Sequence, residues 1–126
     1  MIELYRGDCL EVMDELIKKG VKVDAIITDI PYGTTACSWD VVIPFDEMWS
    51  RITKLSNPTT PILLFGNEPF SSALRLSNIK NYKYDIYWQK EKPINHLQLK
   101  FRFGKVIENI CVFYKKQCTY NPQKSK

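Results

Sequence analysis

The sequence predicts an α/β fold, a sheet of mixed but mainly parallel strands with helices packed on it, and three observations carry that expectation. Apolar, β-branched runs alternate with segments whose apolar residues recur at helical spacing. Two of those runs stop abruptly, at Asp29 and at Gly66, as parallel strands do where a ligand-bearing loop begins. No repeat, low-complexity tract or linker composition interrupts residues 1–126, so one domain is expected.

The elements follow in order. Residues 2–5 read as a short extended start, and Gly7-Asp8 leads into a helix with Leu10, Met13, Leu16 and Ile17 on one face. Asp8 followed three residues later by Glu11 has capping-box character, and Gly20 suits the stop. Residues 23–28 form a nearly continuous apolar run, predicting a strand buried on both faces that ends at Asp29. A loop over residues 30–44 precedes a second helix marked by Phe45, Met48, Trp49, Ile52 and Leu55, with Pro44 suited to its first turn. Residues 61–65 predict another buried strand, and residues 70–76 a short helix stopping near Asn78. Residues 84–88 and 106–114 predict two further strands. With no helical pattern between them, they are expected to be antiparallel neighbours.

Composition narrows the functional classes. With 44% hydrophobic and 25% charged residues, the chain is neither disordered nor membrane-spanning in character, and no apolar run is long enough to cross a bilayer. Residues 1–6 lack a secretory signal, so a cytoplasmic location with reduced thiols is expected. Cys9, Cys37, Cys111 and Cys118 contain no Cys-x-x-Cys, and His96 is the one histidine, so no metal site is expected. Cys111 and Cys118 read as small residues in or near the core. Lys90, Lys92, Lys100, Arg102 and Lys105 against Glu91 alone give one segment an excess equal to the whole net charge of +4. Such a loop is the footprint of a phosphate-backbone contact. His96, in that loop, is assigned no catalytic role.

Asp29-Ile30-Pro31-Tyr32 places an acceptor side chain, a carbonyl held extended by the following proline, and an aromatic ring in four residues. These are the groups that methylation of an exocyclic nucleobase amine needs. The nitrogen lone pair is delocalised into the ring, and two acceptors for its N–H groups draw it toward tetrahedral geometry while offsetting developing positive charge. An aromatic ring stacks on a base swung out of the helix.

At this point the chain resembles the amino-group DNA methyltransferases, which carry Asp-Pro-Pro-Tyr, or Asn or Ser in the first place, at the end of such a strand. Ile30 stands where that pattern has its first proline. Gly7-Asp8-Cys9-Leu10 before a helix, and the catalytic motif ahead of any cofactor motif, resemble one subgroup. Gly33-Thr34-Thr35-Ala36-Cys37 with Trp39-Asp40, Ile43-Pro44-Phe45, Met48-Trp49, Leu64-Phe65-Gly66, Pro69-Phe70 and Ser77-Asn78 are similar to its bacteriophage-type branch. So are Trp88, Lys90, Pro93, Asn95, Glu108, Ile110, Val112-Phe113 and Tyr120-Asn121-Pro122-Gln123. Ile107 replaces the usual histidine, and the usual small residues near Gln98 and Leu99 are absent.

The resemblance implies a Rossmann-like methyltransferase sheet and transfer of a methyl group from S-adenosylmethionine to adenine N6 in DNA, as in restriction-modification. Cytosine N4 is the alternative, as is a non-catalytic remnant binding nucleic acid or a partner. It implies catalytic roles for Asp29, Ile30, Pro31 and Tyr32, and cofactor contacts from Asp8, Cys9 and Asp29. It implies DNA contacts from Tyr32, Trp39, Lys90, Lys92, Asn95, Lys100, Arg102 and Lys105. Trp88 reads as partly core. The five glycines form no Gly-x-Gly pair, so the Phe-x-Gly-x-Gly strand-turn that holds the cofactor in the family is missing. An N-terminal portion of a catalytic domain is therefore expected, its sheet lacking the glycine-bearing strands and seeking a second copy or a complementing chain through its open edge.

Overall fold

The computed structural model describes residues 1–125; Lys126, the last residue of the expected domain, lies outside them. Three α-helices, α1 (Cys9–Lys18), α2 (Phe45–Leu55) and α3 (Phe70–Ser77), accompany four strands, β1 (Ile26–Thr28), β2 (Ile62–Gly66), β3 (Tyr82–Gln89) and β4 (Ile107–Phe113). Strand order is β1-β2-β4-β3. β1 pairs with β2 in parallel, while β4 runs antiparallel to both its neighbours. Three of the four strands thus share one direction, yet two of the three ladders are antiparallel. The α/β sheet is mixed as expected, and β3 and β4 are the antiparallel neighbours the sequence predicts.

Asp8 caps α1 as expected, its Oδ1 accepting from the Leu10 amide at 2.9 Å and the Glu11 amide at 3.4 Å, and Gly20 takes a φ of 72° just beyond the helix. Pro44 sits at the cap position of α2, one residue before the expected first turn. From α2, Met48, Trp49, Ile52 and Leu55 are buried. They join Ile62 and Leu64 of β2, Cys111 and Phe113 of β4, and Phe70 and Leu74 of α3 in the core, while Cys118 is half-buried. Ile62 faces Phe113 and Leu64 faces Cys111 across the ladder, so these four share the covered face.

The expected strand over residues 23–28 needs correction. Only Ile26–Thr28 forms a ladder, Val23 makes an isolated bridge to Ser56, and Ile27 is 66% exposed. β1 is one edge of the sheet and β3 the other, and the core residues of α2 and α3 pack on the face that carries Ile62, Leu64, Cys111 and Phe113. Ile27, Leu63, Val112 and Tyr84 line up in register on the other face, with Phe65, Ile110, Ile86 and Trp88 in nearby rows; Val112 at its centre is buried, while Ile27, Tyr84, Ile86 and Trp88 are exposed. Residues 2–5 join no ladder.

A register shift between Tyr82 and Tyr84 turns Asp85 toward the covered face, where it lies almost fully buried. Arg75 of α3 donates to it at 2.5 Å, the Tyr82 hydroxyl at 2.8 Å and the Asn109 amide at 3.0 Å. Burial raises the Asp85 pKa, but these bonds outweigh it and hold the carboxyl below the usual range. The network ties α3 to the β3–β4 hairpin.

Gly66 permits a close approach between β2 and α3. A Cβ there would stand 2.6 Å from Ser71 Oγ, and Ser71 is fully buried. Because β1, β2 and β3 run in one direction, their C-terminal ends lie at one end of the sheet, where the loop over residues 90–106 leaves β3.

Candidate active site

Asp29 follows β1 directly. The Ile30 side chain is 9% exposed and belongs to the core, which anchors the turn from below. That burial gives the isoleucine a packing role while leaving its carbonyl available, and among the described residues no donor is bonded to that oxygen. The Tyr32 hydroxyl donates to Asp29 Oδ1 at 2.6 Å. Its ring packs against Phe70 at a centroid distance of 5.1 Å. Burial first, and the Asp29 bond second, push the Tyr32 pKa well above its ordinary value, so the phenol stays a proton donor.

Asp40 fixes the loop that follows. Its carboxylate accepts from the amides of Gly33 at 2.8 Å, Thr34 at 2.9 Å and Thr35 at 2.7 Å. Three successive amides aimed at one anion form a nest. Gly33 supplies the left-handed φ of 67°, and a Cβ there would stand 2.8 Å from Val42 Cγ2. Hydrogen bonding from the Thr35 side chain, then from the Gly33, Thr35 and Thr34 amides, lowers the Asp40 pKa to about 2. Sequence reasoning assigned no role to Asp40. The available signal was an acid a few residues beyond a glycine-led run of small residues, which is common in turns.

Two cavities flank this loop. One, of about 600 Å³, is lined by Asp8, Cys9, Asp29, Pro31, Trp39 and residues 41–44 among others. It gathers all three expected cofactor contacts, and Trp39, 69% exposed, stands at it. The other, of about 410 Å³, is lined by Thr34 and Thr35, by Asn67 and Glu68 beyond β2, and by Asn95, His96, Arg102 and Lys105 of the basic loop. Asp29 and the residues beyond Gly66 thus line adjoining cavities rather than one crevice. A third, of about 200 Å³, lies at the opposite end of β2 beside Pro58 and Tyr114, away from the motif.

The expected DNA contacts divide into two groups. Lys90 sits 3.2 Å over the Trp88 ring and pairs with Glu108 at 3.0 Å, so its charge is already compensated. Trp88, 47% exposed, meets Phe65 edge-on at 5.9 Å and is partly packed. Lys105 donates to the Asn67 side chain, and Asn95 braces the loop through the Phe103 carbonyl and the Lys105 amide. Among the described residues, Lys92, Lys100, Arg102 and Lys105 take part in no ion pair.

A mixed sheet with helices on it, and a motif-bearing loop at the end of its edge parallel strand, has the architecture of a methyltransferase fold. Solved structures similar to it include two of M1.HpyAVI, a DNA methyltransferase. The M1.HpyAVI–SAM complex matches with a TM-score of 0.74 and 26% identity over 100% of this chain and 64% of that one. A second M1.HpyAVI crystal structure gives 0.73 and 25%, over 100% and 63%. The chain therefore spans a little under two thirds of the length of these structures. No protein-family model and no curated protein matches it. Among the described residues, no helix is long and apolar enough to cross a membrane.

Proposed function

We propose that this chain carries the catalytic motif of a DNA methyltransferase that transfers a methyl group from SAM to adenine N6. The single observation that carries the reading is the Asp29 carboxylate, held at one oxygen by Tyr32 at 2.6 Å, with its other oxygen and the Ile30 carbonyl unengaged among the described residues. Those two acceptors match the two N–H groups of an exocyclic amine. By accepting both, Asp29 and Ile30 orient the lone pair, and the carboxylate offsets the charge that develops on nitrogen. Pro31 restrains the Ile30 carbonyl. Tyr32 orients Asp29 through its hydroxyl and offers its ring to the base.

The donor set beside Asp29 fits SAM. Asp8 uses only Oδ1 in capping α1, leaving Oδ2 for a ribose hydroxyl, while Val41, Val42 and Ile43 give the same cavity apolar walls for an adenine ring. Asp8, Cys9 and Asp29 would hold the group there. When bound, SAM supplies an electrophilic methyl group on a sulfonium. Lys92, Lys100, Arg102 and Lys105 take DNA phosphates, and Trp39 stacks near the target base. Adenine is preferred to cytosine N4 because Asp, rather than Ser, opens the motif. The partly exposed sheet face and the β1 edge take a second copy or a complementing chain.

The test is incubation of plasmid DNA with SAM labelled on its methyl group, followed by digestion and nucleoside analysis. Label in N6-methyladenine is expected. Label in N4-methylcytosine would contradict the base assignment. No label, either from the chain alone or with the part of M1.HpyAVI that it does not span supplied in trans, would contradict the reading.

A further inference from the structure

The loop over residues 90–106 is built to hold apolar side chains in solvent. Its base is closed by bonds from the Lys90 amide to the Val106 carbonyl at 2.6 Å and from the Ile94 amide to the Lys105 carbonyl at 2.8 Å. Asn95 bridges it internally, accepting from the Lys105 amide at 2.7 Å and donating to the Phe103 carbonyl at 3.0 Å. The short 3-10 helix His96–Gln98 is continued by bonds from the Phe101 and Arg102 amides to the Gln98 carbonyl. A Cβ on Gly104 would stand 3.1 Å from both Pro93 and Leu99. The loop is thus internally braced, yet Phe101 is 87% exposed and Phe103 98%.

Large apolar side chains presented together by a braced loop mark a contact surface. Charge selects the partner. Lys100-Phe101-Arg102-Phe103-Gly104-Lys105 interleaves cations with aromatic rings, and interfaces between proteins are depleted in lysine. Cations that meet phosphates beside rings that meet base faces are the pattern of nucleic-acid contact. Position agrees, because this loop lines the cavity of about 410 Å³ together with Thr34 and Thr35, two and three residues beyond Tyr32.

We infer that Phe101 and Phe103 are an aromatic wedge that inserts against base faces in DNA beside the target base, with Lys100 and Arg102 seating the neighbouring phosphates. This rests on the reading that DNA is the substrate. It adds that the loop favours a duplex already opened, because a gap removes the unstacking cost that the wedge otherwise meets.

The test needs no knowledge of the target sequence. Fluorescence anisotropy compares binding of the full chain to an intact duplex and to the same duplex with one abasic site. The wild type is expected to prefer the abasic duplex by roughly tenfold, the size of one base-aromatic stack. Phe101→Ala/Phe103→Ala should lose that preference with its salt dependence unchanged, and Phe101→Trp/Phe103→Trp should keep it. Lys100→Ala/Arg102→Ala should reduce the salt slope by roughly 2. Circular dichroism checks folding of each variant.

A wild type that binds DNA with no preference, or an alanine pair that retains it, overturns the wedge and leaves the methyltransferase reading standing. Binding that depends on the two phenylalanines to vesicles of phosphatidylcholine and phosphatidylserine, with none to DNA, would assign the loop to a membrane surface and overturn the inference. Preserved abasic preference with no methyl transfer would overturn only the methyltransferase reading.

Discussion

The Tyr32 hydroxyl donates a 2.6 Å hydrogen bond to Oδ1 of Asp29. One residue of the motif thereby orients another, and the phenol keeps its proton because burial and the Asp29 bond push the Tyr32 pKa well above its ordinary value. Tyr32→Phe keeps the ring against Phe70 and removes only the donor. Methyl transfer should fall by roughly 10-fold to 100-fold, the range expected for a hydrogen bond to a charged group. Unchanged kcat in a steady-state transfer assay would limit Tyr32 to stacking.

Asp40 gives the loop a pH dependence of definite sign. Its folded pKa of about 2 lies below the ordinary 3.8, so its stabilisation is fully present above 3.8 and is lost as pH falls toward 2. Asp40→Asn should lower the urea midpoint near neutral pH. The gap between variant and wild type should narrow at about pH 2.5. A gap that is constant across that range would mean that the carboxylate charge does not hold the nest.

Gly66 and Ser71 form a pair suited to a mutant cycle. Gly66→Ala drives a Cβ to within 2.6 Å of Ser71 Oγ and should cost about 1–3 kcal/mol by overpacking. Among the described residues Ser71 Oγ is buried without a hydrogen-bond partner, so Ser71→Ala alone should be close to neutral. Combined with Gly66→Ala it should recover most of the loss, as read by urea unfolding of all four proteins. Additive losses would place the strain elsewhere.

Much of this was legible in the sequence. The three helices announce themselves through helical spacing and, in α1, through Asp8 and Gly20. The motif stands at the end of β1 because an apolar run ends at Asp29. Two-sided burial of that strand was not legible correctly, because Ile26 and Ile27 record the apolar character of both faces and not which face is covered. Asp40 was missed because a nest is made of backbone amides, which carry no residue signature beyond Gly33. Asp85 was missed because only the register shift beside Tyr82 turns it inward. The compensation of Lys90 by Glu108 depends on strand pairing, which residue spacing does not specify.

The exposed apolar residues on the second sheet face should promote association. Ile27 and Ile86 are 66% and 41% exposed, and apolar surface on a sheet with a free edge favours pairing. Light scattering should give a mass that rises with concentration, and Ile27→Lys should lower it toward that of one chain. A concentration-independent monomer for both proteins would contradict this.

The most direct measurement compares Asp29→Ala with the wild type in the labelled methyl-transfer assay, with folding checked by circular dichroism. Loss of a positioned acceptor should reduce transfer by about 100-fold or more while leaving the fold intact. Transfer by Asp29→Ala at the wild-type rate would contradict the assignment of the motif as the amine-binding site.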